Sequence, residues 1–336
     1  MRRIRIAVVG ASGMVGRMFL RVLQERNIEA DYVLLASKRS AGGRIEFFGK
    51  EYVIEELTTD SFKNNRFDLA LFSAGGSVSL TYAPLAAEAG AIVIDNSSAW
   101  RMDEAVPLIV PEVNPQALDG YKNKGIIANP NCSTIQAMLP LKALSNRFGL
   151  KRVVYSTYQA VSGAGMQGCL DLSDGLKGEK PKKFPHPIAG NCIPHIDVYL
   201  PNGYFKEEQK MIDETRKILD LPTLPVTATA VRVPVYHGHS VSINAELCSP
   251  FEMEEVLEAF RRIEGLVIED DPKNNVYPMP VKAAGTDFVY VGRIRRDFSV
   301  ESGLNLWCVA DNVRKGAATN AVQIAELLIK KWEEEK

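Results

Sequence analysis

The sequence predicts a two-domain α/β protein, with a parallel, helix-covered sheet first and an α+β domain on a mixed sheet second. Three observations carry this. The 336 residues exceed what one hydrophobic core usually organises and suit two cores of about 130 to 200 residues each. In the first third, short apolar runs alternate with helical stretches, the pattern of βαβ units whose strands are buried on both faces. Near residue 150 the apolar runs become longer, β-branched and partly alternating, as in strands with one exposed face.

In order, residues 4–9 read as a buried strand, 14–24 as a helix, 32–36 and 69–73 as strands, 83–89 as a helix and 92–95 as a strand. The run Met1-Arg2-Arg3-Ile4 leads straight into the first strand, with no signal-peptide pattern. Ile135, Met138, Leu139, Leu141, Leu144 and Phe148 fall at helical spacing. Strands follow at 152–161, 227–235, 241–247, 289–294 and 304–309, and a helix at 205–219. Residues 163–203, rich in Gly, Pro and Lys, read as a long surface excursion, and such excursions are often functional. Val313, Ala317, Ala321, Ile324, Ala325 and Leu328 form a last helix, whose natural destination is the first sheet.

Composition excludes several classes. Hydrophobic content of 46% and charged content of 24% are ordinary for a globular chain and argue against disorder. With 40 basic and 41 acidic residues there is no cationic excess to hold a phosphate backbone, so no nucleic-acid partner is expected. No apolar run approaches the roughly 20 residues that span a bilayer, so no membrane partner is expected either. Five widely spaced cysteines without a CxxC pair suit reduced thiols in a cytoplasmic setting better than disulfides or zinc. Cys192 and His195 have CxxH spacing, but one such pair makes a poor metal site, and no metal is expected.

The segment Gly10-Ala11-Ser12-Gly13-Met14-Val15-Gly16 lies between the first strand and the first helix. Its glycines suit a tight turn, close backbone approach to a pyrophosphate and tight helix-strand packing, with the anion at the helix N-terminus. This is a Rossmann-like fingerprint, and the alternative is a glycine-rich turn without ligand. At the end of the second strand, where NAD sites usually carry an acid, the chain has Ser37-Lys38-Arg39-Ser40. Ser37, Arg39 and Ser40 offer donors and charge to a 2′-phosphate, so NADP(H) is the expected cofactor. The alternative is a solvated turn.

Cys132, in Asn129-Pro130-Asn131-Cys132-Ser133-Thr134, stands at the start of the helix that ends near Phe148. Unsatisfied amides and the helix dipole favour an anion there, so the thiol is a candidate nucleophile. The competing reading of any cysteine is a small buried hydrophobe. Cys248 and Cys308, within apolar strands, are read as core; Cys169 and Cys192 remain weaker candidates. Between His237 and His239 the local sequence does not choose.

The glycine loop, the Asn129 to Thr134 segment, Gln159 with Ser162-Gly163-Ala164-Gly165, Arg232-Val233-Pro234-Val235 with Gly238-His239-Ser240, and the run from Asp311 to Ala321 together resemble bacterial aspartate-β-semialdehyde dehydrogenase over essentially the whole chain. The resemblance implies an NADP-binding domain of residues 1–131 plus 313–336, a catalytic and dimerisation domain of residues 132–312, and a homodimer. It implies NADPH-dependent conversion of aspartyl phosphate to aspartate semialdehyde and phosphate through a thioester on Cys132, with His239 as acid/base and Gln159 orienting substrate. Arg101 matches the family's phosphate-binding arginine, Arg232 its carboxylate clamp and Lys210 a further phosphate ligand. Glu207 matches the acid at the substrate amino group; Glu207 and Lys210, at i and i+3, could equally be a surface ion pair. Ser162, Gly163 and Asn312 match nicotinamide contacts, against the plainer readings of a turn and a helix cap.

The alternatives among enzymes are N-acetyl-glutamyl-phosphate reductase and malonyl-CoA reductases, similar in fold and cysteine mechanism; a pocket lacking the Arg232 carboxylate clamp would favour the first, and the second would need room for a coenzyme A carrier. A catalytically dead NADP-binding homologue would be natural without Cys132 or His239, and both are present.

Overall fold

The computed structural model describes residues 3–63 and 65–335; Met1 and Arg2, and the outer ends of the expected first domain, lie outside them. The chain divides into two compact units, Met1–Pro130 with Ala317–Lys336, and Asn131–Gly316.

The first unit opens with β1 (Arg5–Val9), α1 (Met14–Glu25) and β2 (Asp31–Ala36), followed by β3 (Arg44–Phe47), β4 (Lys50–Glu56) and β5 (Leu69–Phe72). It continues with α2 (Gly76–Glu88), β6 (Ile92–Asp95) and β7 (Ile126–Ala128). The seven strands lie in the order β3-β4-β2-β1-β5-β6-β7, all parallel except the β3/β4 hairpin. The chain leaves β1 toward β2 and later returns to β1's other side as β5, which makes the carboxyl end of β1 a topological switch point. The hairpin was not expected from sequence, because its exposed, charge-rich strands carry little apolar signal. Helix α2 is nearly twice the expected length: its first half, Gly-Ser-Val-Ser-Leu, holds poor helix formers, and Pro84 sits inside it.

The second unit comprises α3 (Cys132–Phe148), β8 (Leu150–Gln159), α4 (Met166–Gly175), α5 (Lys206–Leu219), β9 (Val226–Arg232) and β10 (His239–Leu247). After these come α6 (Met253–Arg261), β11 (Leu266–Ile268), α7 (Pro280–Ala283), β12 (Val289–Asp297) and β13 (Gly303–Ala310). Its six-stranded mixed sheet has the order β11-β12-β13-β10-β8-β9, with parallel pairs at β8/β9 and β11/β12. The expected surface excursion contains α4, so it is not structureless. Cys308 is fully buried in β13, but Cys248 lies one residue past β10 and is exposed, so its reading as core is corrected. The apolar run that suggested otherwise ends at Leu247.

After a π-helical turn at Arg314–Thr319, the last helix α8 (Asn320–Glu334) returns to the first unit. There Ala321, Val322, Ile324, Ala325 and Leu328 are buried in one cluster with Phe19, Leu23 and Leu34. Among the described residues no helix is long and apolar enough to cross a membrane.

Candidate active site

In the first unit, β1 gives way to a turn at Gly10, whose φ of 83° only glycine adopts freely. A Cβ on Gly10 would stand 2.3 Å from the Ser73 carbonyl oxygen beyond β5, and one on Gly16 would stand 2.1 Å from the Gly10 carbonyl. These glycines let strand, turn and helix close on one another. Helix α1 starts from Gly13 with no side-chain cap, so Met14 and Val15 begin a helix whose first amides are open to an anion. Ser12 Oγ lies 3.0 Å from Ser40 Oγ, tying the glycine turn to the loop after β2, where Ser37 and Arg39 are exposed. No carboxylate occupies that loop. A dinucleotide fits this cradle: its pyrophosphate suits the α1 N-terminus, and its adenosine ribose suits the Ser37 to Ser40 loop.

Arg101, also in the first unit, is 7% exposed. Its Nε donates to the Asn129 carbonyl at 2.9 Å and its Nη2 to the Asn96 carbonyl at 3.0 Å. The guanidinium is thus fixed by backbone.

In the second unit, Cys132 is half-buried at the first position of α3. Asn131 caps that helix, its Oδ1 accepting from the Ser133 and Thr134 amides at 2.9 and 3.2 Å. Two amides that sequence reasoning left open to a thiolate are therefore taken by the cap, while the sulfur stands at the positive end of the helix dipole and interacts electrostatically with the Arg232 cation. Asn131 is also held from α5. Its Nδ2 donates to Glu207 Oε1 at 2.8 Å, and its backbone N–H donates to Glu214 Oε2 at 2.6 Å.

Sheet register gathers the other residues. Gln159 pairs with Arg232 across β8/β9, and Ser240 pairs with Tyr158 across β10/β8, so Gln159, Arg232 and His239 occupy neighbouring strand ends. Gln159 Nε2 donates to Glu207 Oε1 at 3.0 Å, and Thr157 Oγ1 donates to Gln159 Oε1 at 3.0 Å. Glu207 Oε2 pairs with Lys210 Nζ at 3.0 Å, and Lys210 reaches Asp197 at 2.6 Å. Because Glu207 is buried, the plain surface-pair reading fails. Burial alone would raise its carboxyl, but the Lys210 cation and the bonds from Gln159 and Asn131 outweigh it and hold the pKa down at about 2. Burial likewise works against the Lys210 charge, yet Glu207 and Asp197 raise its pKa overall.

His239 is fully buried while His237 is exposed, which separates the two candidates. His239 Nδ1 accepts from the Ala160 N–H at 2.9 Å, and Nε2 has no protein partner. Burial and then the Arg232 cation push its pKa down to about 3, against the pull of Glu207. Arg232 Nη1 donates to the Ala160 carbonyl at 2.7 Å, while its buried Nε has no partner. A Cβ on Gly163 would stand 2.8 Å from Arg232 Nη1 and 3.2 Å from His239 Nε2, so only glycine leaves this side open. Ser162 Oγ lies 3.0 Å from Asn312 Nδ2, and Asn312 Oδ1 accepts from Gly238 N–H. Asp311, not Asn312, caps the following turn, through the Val313 and Arg314 amides.

Sequence reasoning missed Glu214. A signal existed: Glu207, Met211, Glu214 and Ile218 share one helical stripe, and an acid on an apolar stripe asks for a buried partner. Among the described residues no group of three or more His, Cys, Asp or Glu is placed to hold a metal ion.

A switch-point cradle for a dinucleotide, in a chain whose second unit buries an acid, an arginine and a histidine and sets the arginine in electrostatic reach of a cysteine at a helix start, defines a nicotinamide-nucleotide oxidoreductase of the α/β class. Residues 5–121 match the semialdehyde dehydrogenase NAD-binding domain and residues 141–315 the semialdehyde dehydrogenase dimerisation domain. The chain is 56% identical over 335 residues to aspartate-semialdehyde dehydrogenase of Aquifex aeolicus, covering 97% of this chain and 98% of that one. A crystal structure of Vibrio cholerae aspartate-semialdehyde dehydrogenase II, complexed with ASA, matches with a TM-score of 0.94 at 45% identity, over 98% and 99% of the two chains. A structure of the Candida albicans enzyme with NADP matches with a TM-score of 0.77 at 26% identity, over 97% and 98%. The chain belongs to the aspartate-semialdehyde dehydrogenase family, oxidoreductases of amino-acid biosynthesis.

Proposed function

We propose that this chain catalyses the NADPH-dependent reductive dephosphorylation of L-aspartyl-4-phosphate to L-aspartate-4-semialdehyde, through a thioester on Cys132. The observation that carries this reading is the half-buried Cys132 at the α3 N-terminus, electrostatically coupled to Arg232. A thiolate there attacks the acyl phosphate carbon, and phosphate departs from the thioester. Bound in the first unit's cradle, a nicotinamide cofactor would supply the hydride for the reduction. Ser162, Gly163 and Asn312 are assigned to the nicotinamide side, and Gly10, Ser12, Gly13, Met14 and Val15 to the pyrophosphate.

Arg232 is assigned the substrate α-carboxylate, and its unpartnered Nε supports that role. Glu207, kept ionised by Lys210, suits a substrate ammonium, and Gln159, bonded to Glu207, is assigned to orienting the substrate. Arg101 and Lys210 are assigned to phosphate, and His239 to the reacting carbonyl. Preference for NADP rests on Ser37, Arg39 and Ser40 in a loop without a carboxylate. The match to a dimerisation domain supports a homodimer. Such an enzyme works in the cytoplasm, at the branch toward lysine, threonine, methionine and diaminopimelate.

The test is the reverse reaction. With semialdehyde, phosphate and NADP, the wild type should reduce NADP, and Cys132→Ala should abolish the signal. Turnover surviving in Cys132→Ala would remove the thioester.

A further inference from the structure

Asn96 and Asn129 are the residues that immediately follow β6 and β7, whose last members, Asp95 and Ala128, are a register pair. Their main-chain carbonyls are the two that hold Arg101, at 3.0 Å from Nη2 and 2.9 Å from Nε. The guanidinium is therefore aimed by the relative position of two strand ends. The last backbone bond between them runs from the Asn129 N–H to the Asp95 carbonyl at 2.8 Å, and beyond it side chains take over. Asn129 Nδ2 donates to Asn96 Oδ1 at 2.7 Å and to the Ala317 carbonyl at 3.1 Å. Asn129 Oδ1 accepts in turn from Asn320 Nδ2 at 2.7 Å, and Asn320 Nδ2 also donates to the Ile109 carbonyl at 3.0 Å.

All of these residues belong to the first unit. Asn129 and Asn320 are fully buried, and both N–H groups of each amide are engaged. A main-chain carbonyl only accepts, so Ile109 draws the Asn320 nitrogen toward itself and Ala317 does the same for Asn129. Reversing either amide would set oxygen against oxygen in a buried place, which is costly. The network thus has one orientation, and it runs unbroken from the first residue of α8 to both carbonyls on Arg101.

We propose that Asn320 is a positioning residue for Arg101: through Asn129 and Asn96 it fixes the spacing of the two carbonyls that aim the guanidinium at the anion it binds. The helix itself does not call for such a residue. Its docking is served by the apolar stripe of Ala321, Ile324, Ala325 and Leu328, and both Asn320 donors point away from its backbone, to Ile109 and Asn129. What the amides supply is direction, and an arginine that grips a phosphate through a planar fork depends on direction. The anion site is accordingly completed only when the last helix has returned to the first unit's sheet. The inference rests on the assignment of Arg101 to phosphate in the reading above and names the residues that hold it in place.

The test compares Asn320→Ala and Asn96→Ala, which break the network at opposite ends and leave Arg101 and the main-chain carbonyls in the chain. In the reverse reaction each should raise KM for phosphate about tenfold, equivalent to about 1.4 kcal/mol, with KM for semialdehyde and for NADP unchanged. A merely structural role would lower stability without singling out phosphate. The double variant should do no more than the stronger single one, and in an Arg101→Lys background Asn320→Ala should change KM for phosphate less than about twofold. Unchanged phosphate KM in both single variants, an equal rise in all three KM values, or additive effects with Arg101→Lys would each overturn the proposal. Should Asn320→Ala not fold, Asn96→Ala decides alone. Binding of inorganic phosphate, followed by ³¹P line broadening, reads the same site without turnover and should weaken about tenfold in either variant. A wild type that binds phosphate in this Asn320-dependent way but does not turn over removes the functional reading alone. A wild type that turns over while both variants bind phosphate as it does removes this inference alone.

Discussion

Replacing Asn131 by aspartate separates the two jobs of that side chain. The Oδ1 atom that accepts from the Ser133 and Thr134 amides survives, and the cap on the Cys132 helix survives with it. The Nδ2 atom, which donates to Glu207 Oε1 at 2.8 Å, becomes a second carboxylate oxygen. Losing a hydrogen bond to a buried charge costs about 1.5–3 kcal/mol. Two unit charges about 4 Å apart repel by about 4 kcal/mol at an effective dielectric near 20. The repulsion has a ceiling, because the pair can bind a proton and share it as a hydrogen bond. For a carboxyl with pKa near 4, binding that proton costs about 5 kcal/mol at pH 8 and about 1.5 kcal/mol at pH 5. Asn131→Asp should therefore lose about 5 kcal/mol of unfolding free energy at pH 8 and about 2 kcal/mol at pH 5. Asn131→Ala, which loses cap and bond but adds no charge, should lose about 3 kcal/mol at both. Urea unfolding at the two pH values measures the difference. If Asn131→Asp proves as insensitive to pH as Asn131→Ala, Glu207 does not hold an ionised carboxylate against Asn131, and the clamp on the cysteine helix is wrong.

Three further outcomes follow from the same geometry. Gly163→Ala must displace Arg232 Nη1 from 2.8 Å, and so loosen its bond to the Ala160 carbonyl; kcat/KM should fall about tenfold, equivalent to about 1.4 kcal/mol, and an unchanged value would separate Gly163 from the site. His239 titrates at about 3 in the fold against 6.5 when unfolded, so its neutral form stabilises fully above pH 6.5 and this contribution is lost as pH falls toward 3. Between pH 6.5 and 5 that amounts to about 2 kcal/mol, which chemical denaturation should find in the wild type and not in His239→Gln. Glu207, depressed to about 2, contributes in the same direction only below its unfolded value near 4.5, outside that window. Arg39→Asp should weaken NADP binding far more than NAD binding in titration calorimetry, and equal effects on both would discredit the 2′-phosphate assignment.

What was legible in the sequence tracks where local chemistry decides structure. The glycine turn could be read because each glycine answers a steric demand that no other residue meets, as the 2.3 Å and 2.1 Å approaches at Gly10 and Gly16 show. The strands of both sheets could be read because burial on one or two faces leaves a periodic apolar mark. The β3/β4 hairpin left no such mark, since its residues are mostly exposed, and Cys248 was misread because an apolar run says nothing about the residue on which it stops. The site's chemistry is less local still. Asn131, Gln159, Glu207 and Glu214 meet across separations of 48 to 83 residues, so no spacing rule reaches them, and only the family pattern brought Gln159 and Glu207 forward. The choice of His239 over His237 shows the limit most clearly. Both flank Gly238, and nothing in the tripeptide distinguishes them. The β10 register does, because it turns one ring into the interior, where the Ala160 N–H binds Nδ1, and leaves the other in solvent. The partner of Nδ1 is thus a backbone amide 79 residues away, which is why a sequence can nominate this histidine for the site while only the fold specifies what each ring nitrogen meets.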